Sequence, residues 1–91
     1  MKYIISWSVP PSAQIASAAR FLETGGAPPP GVKLVGRWHG MSGEGFAIAE
    51  CDDAKAMYLY QAQWRDLLPI AVTPCVEDAE AGAVFASILK K

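Results

Sequence analysis

The single histidine of this chain, His39, follows Arg37 by two residues in a stretch that alternates as a strand does. Histidine is the side chain whose ordinary pKa lies near neutrality, which makes His39 the candidate catalytic acid or base. Residues two apart in a strand share a face at about 6.5–7 Å. A guanidinium and an imidazole so placed could hold a small anion or phenol, or could only satisfy polar groups at a strand end.

Two hydroxyls and one carboxylate complete the candidate site. Ser6 and Ser8 alternate on the first predicted strand, and Glu44 lies in a glycine-dense loop over residues 40–45. No nucleophile motif surrounds either serine, so catalytic roles other than the candidacy of His39 stay unassigned. The site predicted for a small anionic or phenolic ligand comprises Ser6, Ser8, Arg37, His39 and Glu44.

Metal and cofactor chemistry is not indicated by the sequence. His39 has no second histidine at ligand spacing, and Cys51 and Cys75 have neither metal-binding nor redox-motif spacing. The glycines around Ser42 lack the lysine of a phosphate loop. We therefore predict no metal and no cofactor. We also predict no disulfide between Cys51 and Cys75, because the strand order predicted below places the first strand between theirs.

Length and composition narrow the class of protein. The 91 residues predict a single domain over 1–91, and 52% of them are hydrophobic, more than a small monomer buries, which favours a homo-oligomer. A net charge of −1 with scattered basic residues argues against nucleic acid and membrane surfaces as partners. The sequence shows no signal-peptide pattern and no apolar run near 20 residues, so we predict a cytoplasmic location.

Hydrophobic periodicity predicts the elements that position these residues. Alternation predicts strands over residues 2–9, 32–39, 46–51 and 70–76. Helical spacing predicts helices over 12–24, from the Asp52-Asp53 pair to 64 or 66, and from a cap at Asp78 onward. Pro74 predicts that the fourth strand lies at a sheet edge, because proline donates no ladder hydrogen bond.

This order of elements predicts an α+β, ferredoxin-like βαββαβ domain with an extra C-terminal helix. Its four-stranded antiparallel sheet has the order 4-1-3-2 and carries its helices on one face. We predict that the helices cover Ile5, Trp7, Leu34, Trp38, Phe46, Ile48, Ile70 and Val72. The opposite face is predicted to hold Ile4, Ser6, Ser8, Val35, Arg37, His39, Ala47, Ala49, Cys51, Ala71, Thr73 and Cys75, and to join two copies into a homodimer.

Three runs of sequence resemble a known bacterial family. They are Ala19-Arg-Phe-Leu-Glu-Thr-Gly-Gly26, the proline run that begins at Pro28, and Gly36-Arg-Trp-His-Gly40. On these residues the chain is similar to domain-of-unknown-function family 3303, and the likeness extends from Tyr3 to Asp78. The resemblance implies the plan of dimeric α+β barrel proteins, and it brings no established activity or catalytic residues.

Two hypotheses for function follow. The first is a homodimeric small-molecule binding or regulatory module, which is favoured because the sequence has neither a second histidine nor paired carboxylates at the candidate site. The second is a small cofactor-independent enzyme, similar to monooxygenase or isomerase barrels, with His39 as acid or base. The sequence leaves open which ligand binds and whether a reaction takes place.

Overall fold

Four strands pair into one antiparallel sheet in the computed structural model, which describes residues 1–90. The sheet order is β2-β3-β1-β4, which is the predicted 4-1-3-2 order counted from the other edge, so the predicted fold is confirmed. β4, which contains Pro74, lies at an edge as predicted. The strands are β1 (Lys2–Ser8), β2 (Val32–His39), β3 (Glu44–Cys51) and β4 (Ile70–Cys75).

Three α-helices and one short 3-10 helix connect or follow the strands within residues 1–90. After the 3-10 turn at Pro11–Ala13 come α1 (Gln14–Thr24), α2 (Ala54–Ala62) and the extra C-terminal helix α3 (Asp78–Leu89). In this described part of the chain, no helix combines the length and the hydropathy that crossing a membrane requires.

The helix ends follow from local chemistry. α2 begins after Asp53, whose carboxylate accepts the Lys55 N–H at 3.0 Å. α3 begins one residue earlier than predicted, because Glu77 rather than Asp78 is the cap. Glu77 and Glu80 accept each other's backbone N–H in a capping box, which requires a spacing of three residues.

α1 and α2 lie over one face of the sheet, which we call the helix-side face, whereas α3 has no buried residue and is not part of this layer. Ile5 of β1 and Ala49 of β3 are buried there against Met57 and Tyr60 of α2. The residues of this face are Tyr3, Ile5, Trp7, Val32, Leu34, Arg37, His39, Gly45, Ala47, Ala49, Cys51, Ile70 and Val72.

The predicted faces of β3 were wrong. Ala47 pairs directly with the buried Ile5, and antiparallel partners share a face, so Ala47, Ala49 and Cys51 point toward the helices. Phe46 and Ile48, which were predicted to be core, point the other way. A shift of one residue in register reverses every side chain of a strand, and alternation within β3 does not reveal which set faces inward.

The predicted faces of β2 fail for a second reason, a β-bulge between Leu34 and Gly36. The bulge adds one residue and inverts the alternation beyond it. Arg37 therefore pairs with Ala47 and reaches the helix-side face, and Trp38 pairs with Phe46 on the opposite face. We call this opposite surface the helix-free face; it carries Ile4, Ser6, Ser8, Val35, Trp38, Phe46, Ile48, Ala71, Thr73 and Cys75.

α1 is rotated relative to the prediction from its apolar stripe. Ile15 and Leu22 are 83% and 84% exposed, whereas Ser17 is buried. The rotation is fixed by Arg20, which donates two hydrogen bonds to the Asp66 carboxylate at 2.7 and 2.8 Å and lies over the Trp64 ring at 5.5 Å. The side of α1 that faces the sheet is therefore poor in large apolar groups, and an open space remains between them.

Candidate functional site

This space, which we call the cleft, lies between α1 and the helix-side face and has a volume of about 820 Å³. Ile5, Trp7 and Ala47 form its floor, and Met41 of the β2–β3 hairpin lines one end while remaining exposed to solvent. Its volume is within the range of small-molecule sites, about 300–1,000 Å³.

Arg37 of β2 binds the C-terminal end of α1 beside the cleft. Its guanidinium donates to the carbonyl of Gly25 at 3.0 Å and to the carbonyl of Gly26 at 2.8 Å, just after the end of α1. A cation at a helix C-terminus satisfies free carbonyls and complements the helix dipole. Arg37 also lies over the Phe21 ring at 4.8 Å. Arg37 therefore joins the end of α1 to β2 through two backbone carbonyls.

Tyr60 of α2 completes this junction. Its hydroxyl donates to the Gly26 carbonyl at 3.0 Å and accepts from Arg37 at 3.3 Å. Burial raises the pKa of Tyr60, and the nearby Arg37 charge opposes that effect only in part. The phenol is therefore protonated at neutral pH and holds α1, α2 and β2 together as a hydrogen-bond donor.

His39 belongs to an aromatic corner of the cleft. Its ring meets Phe21 of α1 edge-on at 5.3 Å and Trp7 of β1 edge-on at 6.0 Å. Gly45 lies between Trp7 and His39 in the register, and a Cβ there would come within 2.5 Å of the Trp7 indole. The glycine therefore lets the indole lie across β3 toward the imidazole.

The predicted site residues separate into two groups. Arg37 and His39 line the cleft. Ser6 pairs with Phe46 and Ser8 pairs with Glu44, which places all of these on the helix-free face. Their predicted common face is therefore wrong, because the bulge in β2 moves the two basic residues across the sheet.

Glu44, the fifth residue of the predicted site, is not among the residues that line the cleft. Its carboxylate accepts the Ser42 N–H at 3.3 Å, and its carbonyl accepts the Gly40 N–H at 2.6 Å. The Glu44 side chain therefore stabilises its own hairpin, and residues 40–43 of the hairpin line the cleft.

Several residues of the cleft were not identified from the sequence. Phe21, Gln14 and Ser17 come from α1, and Trp64 and Leu68 come from the segment between α2 and β4. The sequence did contain one indication that Phe21 matters, because the Arg20-Phe21 pair belongs to the first of the three runs that resemble the family. That pair contributes one ion pair and one aromatic wall of the cleft.

The charge of the cleft has one sign. Arg37 and the titratable His39 are among its lining residues, and none of the described lining residues is Asp or Glu. The ion pair of Arg20 with Asp66, at 2.7 Å, lies outside the lining residues. An apolar, aromatic wall with a cation at its edge suits a small organic anion or a phenol better than a cation.

The fold and site thus define a ferredoxin-like α+β domain with a ligand-sized cleft between its first helix and its sheet. The family model for Domain of unknown function (DUF3303) matches residues 1–89, and the chain belongs to this family, as its resemblance predicted. No curated protein and no solved structure matches the chain.

Proposed function

We propose that this protein is a small-molecule binding module whose ligand is an aromatic compound carrying a carboxylate or phenolate. The cleft carries this proposal, because it combines a volume of about 820 Å³ with Trp7, Phe21 and His39 as aromatic surfaces. The ligand ring would stack in this corner, and its negative group would face the edge of the Arg37 guanidinium.

The ligand test uses neighbouring alanines of α1. Both are exposed, but Ala18 is among the residues that line the cleft and Ala19 is not. Titration of the protein with benzoate and 4-hydroxybenzoate, followed by amide chemical shifts, should give saturable binding centred on Trp7 and His39. Ala18→Phe should weaken binding about tenfold or more by filling the cleft, and the matched Ala19→Phe should not. Saturable binding that Ala18→Phe leaves unchanged would contradict the proposal, as would no binding at millimolar ligand.

We further propose that the module is a homodimer that uses its helix-free face. Trp38 and Phe46 on that face are 56% and 50% exposed, and Val35 and Ile4 lie beside them. A contiguous apolar patch of this kind is typical of an interface. Light scattering at tens of micromolar should give the mass of two chains. Val35→Glu should give one chain, because it places an unpaired charge in the interface, whereas Ala19→Glu on α1 should leave the dimer intact.

Acid–base catalysis by His39 is the second candidate, since the imidazole lines the cleft. Aromatic rings flank it on two sides, and this environment favours a binding surface over a proton relay. Catalysis would be established by a ligand that the protein converts to a product. The rate of conversion should depend on pH through a single ionisation and should be lost in His39→Ala. A ligand whose NMR spectrum is unchanged after days with the protein would leave binding as the function.

A further inference from the structure

The C-terminal helix α3 presents an apolar surface that its own chain leaves uncovered. Val84, Phe85, Ile88 and Leu89 lie on one side of the helix, which we call the α3 stripe, and no residue of α3 is buried. The ion pair between Lys2 and Glu77, at 2.7 Å, holds the start of the helix to β1. A helix of about 12 residues is marginally stable in water without packing, so we expect this stripe to pack against another surface.

The helix-free face is the second uncovered apolar surface of the same chain. Its exposed large side chains, Ile4, Val35, Trp38 and Phe46, come from three adjacent strands. The α3 stripe and this face are therefore two apolar surfaces of one molecule, and they do not cover each other within it.

We propose that α3 of each copy lies across the helix-free face of the other copy, so that two chains exchange their C-terminal helices. This inference rests on the homodimer proposed above and specifies what covers the sheet: the partner helix rather than the partner sheet. A twofold exchange uses the same two surfaces on both copies and closes without leaving either exposed.

The dimensions fit this arrangement. The 12 residues of α3 extend about 18 Å at 1.5 Å per residue. Three spacings of about 4.8 Å separate the outer strands of a four-stranded sheet, or about 14 Å in total. One α3 helix is therefore long enough to cross all four strands.

The apolar area is also sufficient. Side chains of this size that are about half exposed offer roughly 100 Å² each, so the group gives about 800 Å² per copy, the size of a standard specific interface. The group comprises Ile4, Val35, Trp38, Phe46, Val84, Phe85, Ile88 and Leu89.

The first test places the same charge on opposite sides of α3 in the full chain. Phe85→Glu interrupts the stripe, and Ala83→Glu, about 160° around the helix, does not. Sedimentation equilibrium should show the dimer dissociation constant of Phe85→Glu raised about 100-fold or more, with that of Ala83→Glu within about threefold of the original. A Phe85→Glu dimer as tight as the original, with Val35→Glu monomeric, would overturn the helix exchange and leave the homodimer standing. A monomeric original chain would overturn both.

A second measurement does not depend on a disruptive variant. Benzoylphenylalanine in place of Phe85 keeps the aromatic shape and cross-links to nearby C–H groups under ultraviolet light. In an equal mixture of ¹⁴N and ¹⁵N chains, cross-linked peptides should join position 85 of one isotope to β2 or β3 peptides containing Trp38 or Phe46 of the other. Cross-links confined to one isotope, or joining the two α3 helices, would overturn the proposal.

Discussion

The two faces of β3 differ in the size of the side chains they present, in the reverse of the expected order. Ala47 and Ala49 face the helices and are 2% and 0% exposed, whereas Phe46 faces outward and is 50% exposed. Small residues let α2 approach the sheet closely, and large residues remain available on the other side. The comparison teaches that β3 encloses its small residues and displays its large ones, which is the distribution expected when a second molecule covers the outer face.

The strongest test of this comparison places the same substitution on each face. Ala49→Leu should cost about 3 kcal/mol of unfolding free energy, because the added methylenes meet a packed interior. Ala71→Leu on the helix-free face of β4, where Ala71 is exposed, should change it by less than about 0.5 kcal/mol. Urea unfolding at low protein concentration measures both. Equal costs would show that the faces are not packed as described.

A somewhat smaller loss of unfolding free energy is expected for a substitution at the end of α1, where Arg37 of the helix-side face contacts Gly26. Gly26 has φ +59°, and a Cβ there would lie 2.7 Å from Arg37 Nη1. Gly26→Ala should therefore cost about 2–3 kcal/mol, from left-handed strain and loss of the Arg37 contacts.

The neighbouring glycine provides the control for that change. Gly25 also has positive φ, +69°, but has open space around its Cβ position. Gly25→Ala should cost only the strain, about 1 kcal/mol. If the two variants are equally stable in urea, Arg37 does not clamp α1 in solution.

The phenol of Tyr60 gives a pH-dependent test of the same junction. Its pKa is raised in the folded state, so its contribution is complete below the ordinary value of about 10 and is lost as pH rises through the folded pKa. Tyr60→Phe should cost about 1 kcal/mol at pH 7 and lessen the decline in stability above pH 10. Tyr58→Phe, on the exposed side of α2, should change neither. Parallel alkaline curves for Tyr60→Phe and the original chain would contradict this role.

The smallest expected difference concerns reaction rates and requires no substitution. Cys51 is buried on the helix-side face, and its thiol donates to the Asp53 carbonyl at 2.9 Å, whereas Cys75 is half-buried on the helix-free face. In the native protein a maleimide should modify Cys75 at least about tenfold faster than Cys51. Mass spectrometry after partial labelling identifies the site. Faster labelling of Cys51 would reverse our assignment of the faces.

Much of the fold could be predicted from sequence because its signals are local. Alternation located the strands, Gly25 ended α1 and Pro74 placed β4 at the edge, each through a constraint on one short segment. The cleft could not be predicted in this way. It depends on the rotation of α1, which the Arg20–Asp66 ion pair sets across 46 residues of sequence.

The sequence by itself determined the elements, their order and the presence of an arginine and a histidine near one strand end. Only the tertiary structure decided where those side chains point. One bulge after Leu34 transfers Arg37 and His39 to the helix-side face and leaves Ser6 and Ser8 on the other. The physical reason is that side chains alternate with a period of two, so one inserted residue reverses every later position without altering the local pattern of hydrophobic residues.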